Sequence, residues 1–454
     1  MRRARIKLVS WESMSRIDRL RQIGVELYPA RTHRTHSVRR ALTSGTGSDS
    51  MVIAGRVDHM DRNRTKVILK DETGVIEVEV VESVADIRSS LEVGDLIECE
   101  GQVENGRFAA AALRMLTPSL RHAPDSFNPE ILKLRGAVLQ FTRRFFDERH
   151  FLAVDTPTFM TTPDLTPALA SFETSFRNEA GHTQLFYLQT SPEHYMKRLL
   201  VAGCERIYQI CRFYRNGERY DEHHPEFTGL EWYEAYADYH QVMKTTEEYI
   251  ASLAVSLNGD ITPTYQSVSI DFSPPWPRQT VRDVLLEHAH LDLNACQTLA
   301  AFSDQATRHG YEIRDDDSWD DLFHRIFVQQ VEPSLPSDRP IFLTEYPAQL
   351  PSLAKFVLDD TRYVERFELY IGGLELANAF TELNDPDEQR RRFEVDRKIK
   401  QNGEGYTGGV DEALLAALEH GMPPAGGIAL GLDRLMMILA DVPTIDPVIS
   451  FRDY

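Results

Sequence analysis

Short β-patterned runs dominate the chain between residues 51 and 116. Apolar and polar residues alternate in MVIAGRV, TKVILKD, VIEVEVV, DLIECEGQV and RFAAAALRML. Turn residues separate these runs, and Asn105-Gly106 is the sharpest hairpin signal among them. Five strands in about 65 residues predict a small barrel, for which the OB-fold is the usual five-stranded solution. An unrelated small β-domain is the alternative.

A different pattern begins after residue 128. Apolar residues from Ile131 to Phe145 are spaced for one buried face of a helix. Longer β-patterned runs follow, and two of them, RYVERFELYIGG and LELANAFTEL, meet at Gly372-Gly373 as a hairpin. Strands joined mainly by hairpins predict an antiparallel sheet, here with helices covering it. The chain ends with GGIALGLDRLMMILA, a glycine-rich strand that runs into a helix.

Composition and charge divide the chain further. The 454 residues carry a net charge of −20, but the first fifty hold eleven Lys and Arg against four Asp and Glu. A basic N-terminal arm on an acidic protein is able to touch nucleic acid, and a merely solvated arm is the alternative. We therefore predict a basic helix (around 15–29) and linker at 1–50, the barrel at 51–120 and an α+β domain at 121–454.

Several classes of protein are excluded by what the sequence does not contain. No apolar run reaches 18 residues, so we expect no membrane contact. The four cysteines lack CxxC spacing, which argues against structural zinc and disulfides and favours the cytoplasm. Neither GxxxxGK[ST] nor a strand followed by GxGxxG is present, so P-loop and Rossmann sites are not expected.

Three glutamates of the late hairpin carry the first candidate chemistry. Glu368, Glu375 and Glu382 recur at intervals of seven residues, with Asn378 between the last two. Glu368 and Glu375 lie on different strands and converge if a bulge adjusts the register. Carboxylates buried among apolar neighbours are costly unless they bind a cation or an ammonium group. The alternative is a solvent-exposed face.

The segment CRFYRNGERYDEHHPEFTGLEWYE combines arginines, histidines, acids and aromatic residues. Arg212 and Arg215 suit phosphate oxygens, and Phe227 offers a ring face to a base. Close to the end of the chain, GGIALGLDR presents glycines beside Arg434, which permits close approach by a nucleotide. Together these segments predict a nucleotide site.

The motifs identify a family resemblance. RFFDERHFLAVDTP, FYRN…HHPEFTGLEWY and GGIALGLDRL resemble motifs 1, 2 and 3 of class II aminoacyl-tRNA synthetases, and HPEFTGLEWYEAYADY with ELANAFTELND is typical of the lysyl branch. The resemblance implies an antiparallel sheet of six or seven strands flanked by helices, preceded by an OB-fold. It also implies a homodimer formed through motif 1.

The resemblance also implies roles for individual residues. Those implied for ATP are Arg215, Asn216, His223, Phe227 and Arg434. Those implied for Mg²⁺ are Glu368 and Glu375. Those implied for the amino acid are Ser191, Glu193, Glu231, Tyr233, Asn378, Phe380, Glu382 and Ala429. Arg215 would hold the α-phosphate, Phe227 and Arg434 would sandwich the adenine, and His223 would face the triphosphate; Arg215, His223 and Arg434 are the candidate catalytic residues.

The chain departs from the lysyl pattern in two places. Gly217 follows Asn216 where the second motif expects glutamate, which has moved to Glu218. In the barrel, Lys66 and Glu77 occupy the places of the Phe and the Gln that read the lysine anticodon in this branch. Neither side chain reproduces aromatic stacking or amide pairing with a base.

The large domain also resembles a sister group, the ligases that attach a lysine-type amino acid to elongation factor P. TSPEHYMKRLLVAGC resembles that group, and Ser191 and Ala429 match it where tRNA synthetases usually carry Ala and Gly. We therefore expect an ATP- and Mg²⁺-dependent enzyme that activates lysine or an analogue such as β-lysine, with transfer to a protein lysine of elongation factor P slightly favoured. The alternatives are a lysine–tRNA ligase and a non-catalytic paralogue that binds nucleotide or RNA.

Overall fold

The structure is a computed structural model, and it describes residues 16–18, 20–21, 24–44, 50–80, 85–119, 128–350, 352–404, 406 and 408–450. Contacts divide the chain into two compact units, residues 1–129 and 130–454. The predicted boundary near residue 120 lies outside the described residues, and each unit is treated by itself below.

The first unit contains a closed barrel of five strands in the order β1-β2-β3-β5-β4. The strands are β1 (Met51–Met60), β2 (Lys66–Asp71), β3 (Gly74–Val80), β4 (Leu96–Glu104) and β5 (Arg107–Thr117). β3 and β5 pair in parallel and the other neighbours are antiparallel. Asn105 and Gly106 form the two-residue turn between β4 and β5, both with positive φ, as the sequence indicated. The predicted five-stranded barrel is confirmed.

Two short helices, α1 (Val38–Thr43) and α2 (Ala85–Ser90), accompany the barrel. The helix predicted for residues 15–29 is helical at 16–18 and 20–21. Arg16 anchors it, because its guanidinium donates to both carboxylate oxygens of Asp95 at 3.0 and 2.7 Å. Much of the predicted linker, residues 45–49, lies outside the described residues.

The second unit is built on a sheet of nine strands. In chain order, the strands of this unit are β6 (Leu152–Ala153), β7 (Phe159–Met160), β8 (Glu173–Arg177), β9 (Thr183–Leu188), β10 (Arg206–Tyr214), β11 (Glu226–Ala235), β12 (Thr264–Tyr265), β13 (Val268–Ser269), β14 (Arg278–Thr280), β15 (Ile341–Pro347), β16 (Phe356–Val357), β17 (Asp360–Ile371), β18 (Leu374–Thr381) and β19 (Ala425–Gly431). The large sheet has the order β14-β15-β17-β18-β19-β11-β10-β6, with β16 beside β17. The strands β7-β9-β8 form a smaller sheet, and β12 pairs with β13.

The predicted antiparallel sheet is confirmed for its central strands. The two edge pairs, β6 with β10 and β14 with β15, are parallel. The sheet has nine strands rather than six or seven because β6, β14 and β16, each of two or three residues, extend it.

Helices flank this sheet. They are α3 (Pro129–Asp147), α4 (Glu193–Val201), α5 (Tyr239–Asn258), α6 (Val281–Ala289), α7 (Leu299–Arg308), α8 (Trp319–Ile326), α9 (Pro386–Glu404), α10 (Glu412–Gly421) and α11 (Leu432–Leu439). Single turns of other helix types occur at Leu293–Ala295, Phe327–Val331, Glu332–Ser334 and Asp446–Val448. Within the described ranges, none of the helices combines the length and apolar character that a membrane span requires.

One face of the central strands packs against α3, α5 and α11. Phe146 of α3, Tyr249 of α5 and Met436 of α11 belong to the same buried apolar cluster as Leu230 and Trp232 of β11. Because side chains alternate between the faces of a strand, the residues between these two point away from this core. The opposite face of the sheet is therefore the place to look for a site.

Candidate active site

Four strands of the large sheet place one residue each in a row. Glu231 of β11 pairs with Ala429 of β19, which pairs with Asn378 of β18. Asn378 in turn pairs with Glu368 of β17. Since residues directly opposite each other on neighbouring strands share a face, the four side chains lie on the same side of the sheet. That side lines a cavity of about 360 Å³.

A second row lies two residues away in the same strands. Its members are Tyr233, Gly427, Phe380 and Arg366. A Cβ atom at Gly427 would lie 2.2 Å from Glu382 Oε1 and 2.3 Å from a ring carbon of Tyr233, so the close packing requires glycine. Arg366 Nε donates to Asn378 Oδ1 at 3.1 Å and joins the two rows.

A bulge in the β17–β18 hairpin brings the next carboxylate to the cavity. Leu369 pairs with Ala377, but Tyr370 pairs with Glu375, so β18 has one extra residue at this point. The sequence analysis required such an adjustment for Glu368 and Glu375 to converge. Both residues line the cavity.

The two carboxylates differ in their surroundings. Glu368 accepts hydrogen bonds from Tyr346 Oη at 2.6 Å, Tyr370 Oη at 2.9 Å and the guanidinium of Arg366 at 2.5 Å. Burial and the nearby charge of Glu368 raise the pKa of Glu375 to about 7. A cation between two such carboxylates would relieve the repulsion that raises this pKa.

Arginines line the other end of the cavity. The guanidinium carbon of Arg215 lies 5.2 Å from the centre of the Phe227 ring. Arg434 donates to the Glu375 carbonyl oxygen at 2.5 Å, and its other terminal nitrogen lies 2.6 Å from His223 Nε2. Burial and the charges of both arginines lower the pKa of His223 to about 4, so the ring is neutral at pH 7 and accepts from Arg434. This end of the cavity is suited to anionic phosphate oxygens.

The turn after Arg215 accommodates the displaced glutamate. Gly217 has a φ of 86°, a conformation that other residues rarely adopt, and Glu218 lines the cavity with Oε2 3.8 Å from a terminal nitrogen of Arg215. Arg212 and Asn216 are the predicted residues that do not line the cavity: Arg212 Nε lies 3.5 Å from Glu226 Oε1, and the Asn216 backbone N–H donates to the Ala170 carbonyl oxygen at 2.8 Å. The glycine thus turns the backbone so that a glutamate still reaches the site.

Away from the arginines, the cavity adjoins a group that we call the acid cluster: Glu193, Glu231, Glu382 and Lys197. Lys197 Nζ lies 2.6 Å from Glu193 Oε1 and 2.7 Å from Glu382 Oε2, and its side chain is fully buried. Burial raises the pKa of Glu382 to about 7 despite the opposing charge of Lys197, and burial beside Glu193 raises the pKa of Glu231 well above its usual range. Tyr233 Oη donates to Glu231 Oε2 at 3.2 Å.

Ser191 completes this end by accepting a hydrogen bond from the Glu193 N–H at 3.2 Å, at the start of α4. Each of the other predicted site residues lines the cavity. Their assignments to ATP, Mg²⁺ and amino acid stay predictions.

Sequence reasoning missed several residues of the site. His324, on α8, lines the cavity and pairs with Asp320 at 2.7 Å, although the region from 258 to 335 gave no functional signal. Asp164 also lines the cavity, in a loop without a motif. Lys197 was detectable in principle, because it follows Glu193 by four residues in TSPEHYMKRLL and therefore shares its helix face.

Comparison with known proteins agrees with this geometry. Residues 117–453 match the family described as tRNA synthetases class II (D, K and N). The chain is 35% identical to the lysine–tRNA ligase of Pelotomaculum thermopropionicum over 96% of its own length and 92% of that protein. It is 31% and 33% identical to the lysine–tRNA ligases of Chloroflexus aurantiacus and Carboxydothermus hydrogenoformans, over 96% of both chains in each case. The chain belongs to the class II tRNA synthetases of the D, K and N group and is a ligase of that family.

Proposed function

We propose that this protein uses ATP to activate lysine as an aminoacyl-adenylate and then transfers the lysyl group to tRNA. The observation that carries the proposal is the charge of the acid cluster. The carboxylates of Glu193, Glu231 and Glu382 lie near one another, and the one ammonium group in the cluster, that of Lys197, contacts two of them, Glu193 and Glu382. When all four groups are ionised, the cluster lacks two positive charges, and lysine carries two ammonium groups.

Two features of the cluster support a bound ammonium. Glu382 is 1% exposed, and its Oε1 has no hydrogen-bond partner among the described residues. The raised pKa values of Glu231 and Glu382 reflect carboxylates that lack sufficient positive charge nearby. A ligand ammonium would supply both a hydrogen-bond donor and the missing charge, whereas an apolar amino acid would supply neither.

The arginine end supports activation by ATP. In the proposed step, a carboxylate oxygen of lysine forms a bond to the α-phosphorus, and the bond to the pyrophosphate leaving group breaks. Arg215 would stabilise the negative charge on the α-phosphate, and Phe227 would receive the adenine ring. His223 is neutral at pH 7 because its pKa is about 4, so it adds no charge and orients Arg434 by accepting its hydrogen bond. Catalysis here rests on positioning and charge stabilisation.

The residues present fit a magnesium ion. Among the described residues, no group of three or more His, Cys, Asp or Glu side chains is arranged to hold a metal alone. Glu368 and Glu375 provide two converging carboxylates, and Mg²⁺ typically takes one or two carboxylates together with substrate phosphates. We propose that these two residues hold Mg²⁺, which would neutralise phosphate charge when ATP is bound.

We assign the acceptor differently from the sequence-based expectation. Ser191 and Ala429 favoured elongation factor P, but the relatives named lysine–tRNA ligase match this chain over both of its units. tRNA, which we held as the alternative, is therefore the better-supported acceptor. The non-catalytic alternative loses its main argument, because Glu218 reaches the cavity despite Gly217.

The barrel supports a restricted form of tRNA recognition. Lys66 Nζ lies 3.4 Å from Glu77 Oε1, and Arg107 Nε lies 3.1 Å from the same atom. The two positions that would read the anticodon are thus engaged in an ion-pair cluster. We propose that these side chains do not distinguish the middle base of the lysine anticodon.

We further propose a homodimer, as the first motif implies. Large apolar side chains are exposed on the small sheet formed by β7, β9 and β8: Phe159 is 54%, Phe176 57% and Leu185 48% exposed. Apolar residues grouped in this way are typical of contact surfaces. Light scattering of the wild type and of Phe176→Glu would test it; a monomeric wild type would contradict it. We also propose a cytoplasmic location, because all four cysteines are unpaired.

Lysine-dependent ATP–pyrophosphate exchange tests the activation step. We expect exchange with lysine, and a panel containing β-lysine and norleucine identifies the isomer and the need for the second ammonium. Glu382→Gln should lower kcat/KM for lysine by about two to three orders of magnitude, because breaking a buried charge pair costs about 3–5 kcal/mol. Glu234→Gln is the matched control, since Glu234 is a largely buried, ion-paired carboxylate on the other face of β11.

Parallel incubation with total tRNA and elongation factor P then identifies the acceptor. Transfer of labelled lysine to tRNA is expected. Transfer to elongation factor P alone would refute tRNA as the acceptor and support the acceptor expected from the sequence. Exchange that is unaffected by Glu382→Gln would remove Glu382 from the amino-acid pocket.

A further inference from the structure

Lys197 is a buried charge behind the wall of the cavity. It lies on α4, is fully buried and is not among the residues that line the cavity. Its Nζ atom lies 2.6 Å from Glu193 Oε1 on the same helix and 2.7 Å from Glu382 Oε2, which follows β18. One ammonium therefore joins two carboxylates from elements far apart in the chain.

Stability alone is a weak reason for this arrangement. Removing an ammonium group from water costs several kcal/mol, and well-packed apolar residues of similar volume often stabilise a protein as much as a buried ion pair does. Both of the carboxylates that Lys197 contacts also line the cavity. The position of the Lys197 ammonium is thus better explained by a role of Glu193 and Glu382 in binding a ligand in the cavity.

Contact with Lys197 also fixes the orientation of Glu382. One oxygen, Oε2, is held by Lys197, which leaves Oε1 beside Gly427 and without a hydrogen-bond partner among the described residues. Gly427 has no side chain, which permits Oε1 to lie close against it in the wall of the cavity. The same carboxylate therefore pairs with Lys197 through one oxygen and leaves the other oxygen at the cavity wall.

We propose that Lys197 is a positioning residue for the amino-acid substrate: without touching the substrate, its ammonium holds the carboxylates of Glu193 and Glu382 in place at the cavity and favours the charged form of Glu382. This inference rests on the proposed function. The inference extends the proposed function, because a residue behind the pocket, and not only the residues that line it, would help to select a substrate with two ammonium groups.

Charge around Glu382 gives the inference a pH signature. The groups that face this carboxylate are Glu193 and Lys197 from α4 and Glu231 and Tyr233 from β11. Lys197 is the one cation among them, and it lowers the pKa of Glu382, which is about 7 in its presence. Removing that cation must raise this pKa further, so that fewer molecules hold an ionised Glu382 at neutral pH.

The test compares Lys197→Met with the wild type in lysine-dependent pyrophosphate exchange between pH 6 and 9. A rise of one pKa unit lowers the ionised fraction of Glu382 at pH 7 from about a half to about a tenth, so KM for lysine should rise at least about fivefold. KM should return towards the wild-type value at pH 9, while kcat and KM for ATP stay within about twofold. A merely structural role predicts a loss of kcat that pH does not restore.

Two further variants complete the experiment. Lys197→Arg keeps the charge but changes the reach of the side chain, so KM should rise by a similar factor at every pH, and a pH profile displaced from that of the wild type would overturn the proposal even if Lys197→Met failed to fold. Lys133→Met is the control, because Lys133 is a half-exposed ammonium on α3 that pairs with Glu130 at 2.9 Å and does not line the cavity. No shift in its pH profile is expected.

The outcomes separate the two proposals. A wild type without lysine-dependent exchange would refute both. Lysine-dependent exchange in the wild type, with an unchanged KM in Lys197→Met across the pH range, would refute the role of Lys197 alone.

Discussion

Lysine binding should release protons from the acid cluster. In the free protein, the pKa of Glu382 is about 7, so this carboxyl group holds a proton in about half of the molecules at neutrality, and burial raises the pKa of Glu231 as well. An incoming ammonium favours the ionised carboxylates and displaces these protons, whereas the ε-ammonium of lysine, with a pKa of about 10.4, keeps its own. The experiment therefore adds lysine to the protein at several pH values and measures the protons released.

The amount released follows from the pKa values. Glu382 is about nine-tenths protonated at pH 6, half at pH 7 and one-tenth at pH 8, so its own release falls in the same order. About half a proton should therefore leave Glu382 per lysine bound at pH 7. The sign of the pH dependence follows from the raised pKa of Glu382 in the free protein: because lysine binds to the ionised carboxylate, the affinity for lysine increases as pH rises through 7. The contribution of Glu382 makes lysine binding about tenfold tighter at pH 8 than at pH 6.

Calorimetry in phosphate and in Tris measures the effect, because the two buffers differ in their heat of protonation. Glu382→Gln should remove about half a proton at pH 7 and retain the share of Glu231. Glu234→Gln should behave as the wild type. Norleucine, which has the shape of lysine without the ε-ammonium, should release fewer protons. Lysine binding that is equally tight from pH 6 to 8 and releases no protons would refute this account of the pocket.

Three further predictions address the rest of the site. Gly217→Ala should cost about 1 kcal/mol of stability, because its φ is 86°, and should raise KM for ATP by moving Glu218. Gly403→Ala, in a helix with free space around the glycine, should leave KM unchanged and should not lower Tm. Glu375→Gln should raise the Mg²⁺ concentration needed for half-maximal exchange by about tenfold, and an unchanged Mg²⁺ titration would dismiss the metal assignment. Burial raises the pKa of Asp396 to about 7 in the folded protein, so ionisation of this carboxyl group destabilises the folded state increasingly as pH rises from 4 to 7. Asp396→Asn removes that cost, so the gain in Tm of the variant over the wild type should grow over this range and level off above pH 7.

Local signals were sufficient for the parts of the fold that depend on neighbouring residues. The hairpins at Asn105-Gly106 and Gly372-Gly373 were recognisable because two-residue turns of this kind have few alternatives. The edge strands β14 and β16 were not recognisable as such, since two or three residues carry no periodicity and pair only because a neighbouring strand is already present.

Some residues of the site were also predictable from the sequence, and others were not. Residues within motifs, such as Glu231 and Glu382, were found because their residue types imply a binding task. His324 was not, because its approach to the cavity depends on the packing of α8 and leaves no pattern in the sequence. The comparisons support tRNA better than the acceptor expected from Ser191 and Ala429, because that expectation rested on two residues of the cavity, whereas the relatives match over both units of the chain.

The position of β19 has a consequence for synthesis of the protein. This strand, residues 425–431, comes last in the chain but lies between β18 and β11 in the sheet. Until the ribosome has released it, the rows that contain Glu231 and Asn378 remain separated and both neighbouring strands present unpaired edges, which invite pairing with other chains. A nascent or prematurely terminated chain therefore carries every residue of the ATP motif around Arg215 yet has no pocket for lysine. Binding of substrate thus requires that synthesis has passed residue 431, and products that stop before β19 are candidates for aggregation and proteolysis.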